Sequence, residues 1–204
     1  MNHTLKGIVP QRLPAEADKG SVRWAVKAQW ALCDPEERLD RSGRIMEMLE
    51  SLPEFKQAQT LLMYWSMSRE VDTQAAVRRW AAGKRILLPV MEGDHLLLKP
   101  YTGDENLVCH PWGVWEPASG PSVPLREVDL VVTPGAAFDL EGGRLGYGKG
   151  FYDRLLSSPE ACSCRSVGVC FDFQWYDRLP REAHDVAVNR VIVGAAREVW
   201  VHNP

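Results

Sequence analysis

The chain has 204 residues with 24 basic and 27 acidic side chains, a formal net charge of −3. That length suits one domain burying roughly 70% of its unfolded surface, so neither a disulfide nor a metal is required to hold it together. The slightly acidic balance gives no general attraction for nucleic acid or anionic membrane, and no apolar stretch approaches the roughly twenty residues of a membrane span.

Residues 1–18 lack periodicity and carry Pro10 and Pro14, which predicts a loose extension ahead of a domain covering 19–204. From Lys19 to about Cys33 the apolar positions Val22, Ala25, Val26, Trp30 and Leu32 fall mostly at helical spacing. Asp34-Pro35-Glu36-Glu37 then reads as an N-cap, a proline at the first helical position and acids in the first turn, opening a second helix to about Leu52. The apolar run Leu61 to Trp65 predicts a buried strand, Asp72 or Thr73 caps a helix ending at Gly83, and Arg85 to Pro89 forms another strand. Strand, helix and strand within about thirty residues make a βαβ unit and a parallel pair. A further strand is predicted at 95–99, residues 103–124 are loop-rich with four prolines, and later strands fall at 129–133, 166–171 and 191–194, with a helix from about Gly150 to Ser157. The sum is an α/β fold, a single-domain three-layer α/β/α arrangement with a mostly parallel central sheet.

The cysteines are odd in number and irregularly spaced: Cys162 and Cys164 form one CxC without a second pair, and Cys109 beside His110 lacks an orienting partner. All five read as reduced thiols, which places the chain in the cytoplasm. Nothing at the N-terminus resembles a secretory segment.

The chemistry concentrates in Gly135 to Tyr152, GAAFDLEGGRLGYGKGFY, followed by Asp153 and Arg154. Glycines let backbone N–H groups approach an anion closely, and a helix starting nearby adds its partial positive end. Arg144 and Lys149 supply full positive charges, so the run outlines a phosphate cradle. Gly143, Gly148 and Lys149 meet the GxxxxGK spacing of nucleotide-triphosphatase loops, but Gly150 stands where that motif needs a hydroxyl for magnesium. Taken alone, the glycines equally suit a hairpin with solvated charges.

The string GRLGYGKGFYDR, preceded by PGAAFD and a strand, resembles the signature of the 5-formyltetrahydrofolate cyclo-ligase family. Ordered, separated pieces extend the resemblance: Lys19 to Arg23, Pro35 to Arg38, Glu70-Val71-Asp72-Thr73, Trp115-Glu116-Pro117 and His184-Asp185. The resemblance implies a layered α/β fold and an ATP-dependent reaction in which the formyl oxygen of 5-formyltetrahydrofolate is phosphorylated, N10 attacks the activated carbon, and phosphate leaves to give 5,10-methenyltetrahydrofolate. Such a reaction depends on positioning and on neutralising phosphate charge.

The resemblance accordingly implies Lys149 on the transferring phosphate, with Arg144 and the backbone of Leu145, Gly146, Tyr147, Gly148, Gly150, Phe151 and Tyr152 holding the rest of the triphosphate. Lys19 and Arg23, four apart on one helix face, join the nucleotide. Trp65 and Glu70, expected at the end of the first strand, face the folate together with Tyr147, Gly148, Lys149, Gly150 and Phe151, Glu70 accepting hydrogen bonds from the pterin. Magnesium takes oxygen ligands and keeps several waters, and the resemblance puts it on Asp153 and Asp185. Asn189 departs from a second late aspartate of the family, and Val193-Gly194 from a threonine-containing ending. The expected partners are ATP, Mg2+ and a folate, with no nucleic acid or membrane, acting on a monomer. Two other functions fit parts of the pattern: a folate or nucleotide sensor without catalysis, and a phosphotransferase with another acceptor. A generic phosphate loop predicts none of Trp65, Glu70 or the Lys19/Arg23 pair.

Overall fold

The first helices are set by their caps. In the computed structural model, which describes residues 8–196 and 198–204 apart from the side chain of Cys162, α1 (Lys19–Trp30) starts at Asp18. The Asp18 carboxylate accepts from the Ser21 N–H at 2.7 Å, and the Ser21 hydroxyl oxygen accepts from the Asp18 N–H at 3.0 Å. Val22, Val26 and Trp30 form its buried stripe. For α2 (Pro35–Ser51), Asp34 Oδ1 accepts from the N–H groups of Glu36 at 2.8 Å and Glu37 at 3.0 Å. Asp34→Ala is therefore expected to lower stability by about 1 kcal/mol, read as a lower denaturant midpoint at unchanged slope. Pro53 then opens α3 (Pro53–Gln57).

The remaining elements are β1 (Thr60–Leu62), α4 (Gln74–Trp80), β2 (Arg85–Glu92), β3 (His95–Pro100), β4 (Leu107–Cys109), β5 (Trp115–Pro117), β6 (Leu130–Thr133), β7 (Ala137–Asp139), β8 (Arg144–Leu145), α5 (Phe151–Leu156), β9 (Arg165–Phe171), β10 (Trp175–Tyr176), β11 (Arg190–Gly194) and β12 (Val199–His202). Seven strands form the main sheet in the order β12-β11-β9-β6-β1-β2-β3. The inner pairs β11–β9, β9–β6, β6–β1 and β1–β2 are parallel, and the edges β3 and β12 are antiparallel. The predicted α/β class and mostly parallel sheet are what the chain adopts.

Alternation along the inner strands divides the core. Leu61, Leu130, Val132, Val167, Val169 and Ile192 join the residues buried by α1 to α4. Leu62, Leu87 and Val131 meet Tyr152, Leu155 and Leu156 of α5 on the other face. That face is also covered by Phe138 and Trp175 of a small sheet ordered β10-β7-β8, packed with Cys170, Val191 and Val193. The second outer layer is thus one short helix plus a small sheet.

Of the segment expected to be loose, residues 1–7 lie outside the described residues. The remainder differs from a free tail: Ile8 is buried, Gln11 N–H donates to the Trp175 carbonyl at 2.9 Å, and the Gln11 carbonyl accepts from Asp177 N–H at 2.9 Å. Gln11 thereby extends the small sheet beside β10. Cys33, Cys109 and Cys170 are thiols, and no helix among the described residues is long and apolar enough to cross a membrane.

The strand order fixes where a ligand sits. After β1 the chain proceeds to β2 on one side, and after β6 it proceeds to β9 on the other, so the loops leaving these adjacent strands diverge. Open α/β sheets bind ligands in the crevice at such a reversal.

Candidate active site

The crevice between the loops after β1 and β6 is a cleft of about 680 Å³. Every residue singled out from the sequence lines it: Lys19, Arg23, Trp65, Glu70, the run Arg144 to Tyr152, Asp153 and Asp185. Residues more than a hundred positions apart meet because α1, the end of β1 and the loop after β8 converge there.

The wall after β1 is held by its own short loop. Tyr64 hydroxyl donates to the Val71 carbonyl at 2.9 Å, Thr73 N–H donates to Ser66 Oγ at 3.1 Å, and Arg38 Nη1 donates to the Glu70 carbonyl at 3.1 Å. Trp65 is buried, stacked on Tyr101 with centroids 5.7 Å apart and with the Arg78 guanidinium 4.9 Å from its ring. Glu70 is only 6% exposed, and its Oε2 accepts from the Met67 N–H at 2.8 Å. Burial pushes its carboxyl up to about 7, against the pull of the Met67 N–H and of the Arg38 charge. β1 itself ends at Leu62, earlier than the strand predicted to run to Trp65, which leaves Met63 to Trp65 as extended chain entering the site.

The glycine-rich segment is anchored upstream by Asp139, fully buried at the end of β7. Its carboxylate accepts from the N–H groups of Glu141 (2.9 Å), Gly143 (2.8 Å) and Leu179 (2.9 Å) and from Arg181 Nη2 (2.6 Å). These bonds shape the turn from β7 into β8, which delivers Arg144 and Leu145, both buried, into the cleft wall. Beyond β8, Gly148 and Gly150 have φ of +101° and +66°, conformations that leave little choice but glycine. Gly150 is the N-cap of α5, and the loop carbonyls of Gly146 and Lys149 are held by Arg23 Nε at 2.8 Å and Arg154 Nη2 at 2.8 Å. Phe151 is half-buried with the Arg154 guanidinium 5.3 Å from its ring, and the exposed Tyr147 donates its hydroxyl to the Arg69 carbonyl at 3.2 Å.

The cations of the cleft differ in what they already hold. Arg144 Nη2 is 2.7 Å from Asp153 Oδ1 in a buried ion pair. Lys19 Nζ lies 2.6 Å from Asp185 and 3.0 Å from Glu182. Burial opposes the charge on Lys19, but the two acids outweigh it and raise its pKa; burial likewise opposes the charge on Asp185, and the Lys19 and Glu182 N–H hydrogen bonds outweigh it and lower its pKa. Lys149 makes no ion pair among the described residues; it is exposed, with Nζ 4.6 Å from the Trp112 ring centroid.

Asp153 and Asp185, read from the sequence as magnesium ligands, therefore meet the two cations read as phosphate ligands. Hard carboxylate oxygens are what magnesium requires, and Glu182, His184 and Asp185 bring ligand atoms within 4.8 Å of one another at the rim. The donor chemistry fits the ion, with Glu182 as an additional oxygen donor. Asn189 does not line the cleft. Its Oδ1 accepts from Ser166 N–H at 2.8 Å and from Ser166 Oγ at 3.1 Å, so it ties the start of β11 to β9.

Sequence reasoning missed a whole wall. The segment 103–124, read as loop, contains the antiparallel pair β4–β5, which brings Trp112, Val114, Trp115 and Glu116 to the cleft beside Pro89, Met91 and Leu96. The mid-chain Trp-Glu-Pro was the available signal, but a three-residue strand has too little periodicity to be predicted.

A sequence model of the 5-formyltetrahydrofolate cyclo-ligase family matches residues 15–194. The chain is 35% identical over 150 residues to the 5-formyltetrahydrofolate cyclo-ligase of Haemophilus influenzae, covering 71% of this chain and 80% of that one. It is 32% identical over 172 residues to the enzyme of the same name from Escherichia coli, covering 81% and 93%. The solved structure of Aquifex aeolicus 5,10-methenyltetrahydrofolate synthetase superposes with a TM-score of 0.77 at 34% identity over 91% of this chain and 92% of that one.

Proposed function

The chain belongs to the 5-formyltetrahydrofolate cyclo-ligase family, and from that premise we propose that it converts 5-formyltetrahydrofolate and ATP to 5,10-methenyltetrahydrofolate, ADP and phosphate. The observation that carries this reading is one cleft with two chemically distinct sides. One side is the glycine loop, whose Lys149 makes no ion pair among the described residues; the other is an aromatic and apolar wall with the buried acid Glu70.

The roles follow from what each group can still bind. Lys149 meets the transferring phosphoryl group, whose charge must be neutralised as it moves to the formyl oxygen. Arg23 and the backbone of Gly146 to Gly150 cradle the remaining phosphates. Lys19 and Arg144 stand behind them, each held in place by an acid until phosphate competes for it. The pterin lies against Trp65, with Glu70 accepting from its N–H donors. N10 then bonds to the formyl carbon, the carbon–oxygen bond to phosphate breaks, and the N10 proton is lost. When bound by Asp153 and Asp185, magnesium supplies charge neutralisation for the triphosphate. The thiols Cys33, Cys109 and Cys170 suit the reducing cytoplasm, where we take the enzyme to act as a monomer.

The direct test mixes the purified protein with ATP, magnesium and 5-formyltetrahydrofolate and follows the methenyl chromophore. No chromophore from a protein that binds both substrates would assign it to sensing. Phosphate transfer without the folate would assign it to another acceptor.

Asp185→Asn is expected to raise severalfold the magnesium concentration giving half-maximal activity, because a hard cation loses an anionic oxygen. An unchanged magnesium dependence would leave Asp185 as the anchor of Lys19 alone.

A further inference from the structure

Glu116 is a buried acid of the cleft wall that makes no ion pair among the described residues. It lies in β5 between Trp115 and Pro117, is 5% exposed, and lines the cleft. β1 accompanies β2 only along Arg85 to Leu87. Farther along β2, the Met91 N–H donates to Glu116 Oε1 at 3.0 Å, which ties the β4–β5 hairpin to the main sheet. One acceptor satisfies that N–H, and a neutral glutamine would provide it without the desolvation cost of a buried carboxylate. Glu116 Oε2 has no hydrogen-bond partner among the described residues.

Glu70 has the same arrangement: one oxygen accepts from a backbone N–H, that of Met67, and the other is without a protein donor among the described residues. Both acids line the cleft, Glu70 on the Met67 N–H in the loop after β1 and Glu116 on the Met91 N–H of β2, and neither carboxylate is paired with Lys19 or Arg144, the cations held by Asp185 and Asp153. We propose that Glu116 is a second ligand-reading carboxylate, accepting a hydrogen bond from a ring N–H of the reduced pterin alongside Glu70. The inference rests on the folate reading above.

The chemistry of the ligand explains why two acceptors are useful. A reduced pterin presents N–H donors on more than one edge, the 2-amino and N3–H groups on one and N8–H on another, so a single carboxylate cannot read them all. Two carboxylates around the pterin also repel triphosphate, and so favour the nucleotide at the cations Lys149 and Arg23.

The decisive variant is Glu116→Gln, whose amide oxygen keeps the Met91 bond while its NH2 places a donor where the pterin needs an acceptor. Calorimetric titration should show affinity for 5-formyltetrahydrofolate reduced by roughly 10- to 100-fold, with ATP affinity unchanged and the thermal midpoint no lower than that of the unmodified protein. Glu116→Asp, which keeps the charge but withdraws the carboxylate by one methylene, should likewise weaken the folate and spare ATP. Unaltered folate affinity in Glu116→Gln overturns the proposal, and so do equal losses for both ligands, which would make Glu116 a framework residue. Failure of the unmodified protein to bind 5-formyltetrahydrofolate would instead overturn the folate reading on which it rests.

Discussion

In Lys149→Ala, turnover is expected to fall by about 10²- to 10³-fold while the fold persists, the range for losing one preorganised electrostatic donor aimed at developing charge. The structure sharpens this expectation by separating Lys149 from the other cations. Lys19 and Arg144 are already 2.6 Å and 2.7 Å from carboxylates, so part of any loss on mutating them reflects an acid left without its partner. Lys149 leaves no such orphan: it is exposed, makes no ion pair among the described residues, and lies over the face of Trp112. Its flanking glycines, Gly148 and Gly150 with positive φ, hold the backbone whatever side chain lies between them. Thermal midpoint should therefore stay near that of the unmodified protein. Single-turnover measurement of methenyl formation at saturating ATP separates the chemical step from binding. A rate within a few fold of normal would remove Lys149 from the phosphoryl-transfer step.

The parts of the site that could be read from the sequence are those carried by single residues in local patterns. Gly148-Lys149-Gly150, the Lys19/Arg23 spacing, the strand before Trp65 and the helix caps at Asp34 and Pro35 are each visible within a few positions. Pairings between different elements were invisible, because no local pattern says that Arg144 of β8 meets Asp153 of α5 or that Lys19 crosses to Asp185. The same reason hides the four hydrogen bonds of Asp139, whose partners include Leu179 and Arg181. Strands of two or three residues such as β5, β8 and β10 owe their existence to neighbours supplied by the fold, not to their own propensity. The hairpin wall bearing Glu116 was lost for that reason, and so was the contact of Gln11 with the small sheet. The departure at Asn189 could be seen, but its meaning depended on Ser166, twenty-three positions away in sequence and directly beside it in the sheet.

Glu70→Gln is expected to weaken 5-formyltetrahydrofolate binding on the order of 10- to 150-fold, the worth of a charge-assisted hydrogen bond of about 1.5–3 kcal/mol, with ATP affinity nearly unchanged. The amide oxygen of the variant can keep the Met67 N–H, so the loop need not move. The pH dependence adds a second signature. The Glu70 carboxyl titrates near 7 in the folded protein against an ordinary 4.5, chiefly because burial disfavours its charge. Between those values the folded state keeps a proton that the unfolded chain has lost. Stability contributed by this group therefore declines as pH rises through that window and is lowest above about 7. A ligand that donates hydrogen bonds to the ionised carboxylate reverses the preference, so folate affinity should climb with pH up to about 7 and then level off. Both slopes should vanish in Glu70→Gln: the variant loses the decline in stability, and its weaker folate affinity stays flat with pH. Calorimetric titration of each ligand across pH 5.5 to 8.5, a range of roughly three units around the midpoint, measures the affinity slope, and denaturant unfolding of the free protein from about pH 4.5 to 7.5 measures the stability slope. Equal weakening of ATP and folate would place Glu70 on the nucleotide side of the cleft. A folate affinity that falls as pH rises would mean that the protonated carboxyl, donating its O–H, is the form that reads the pterin.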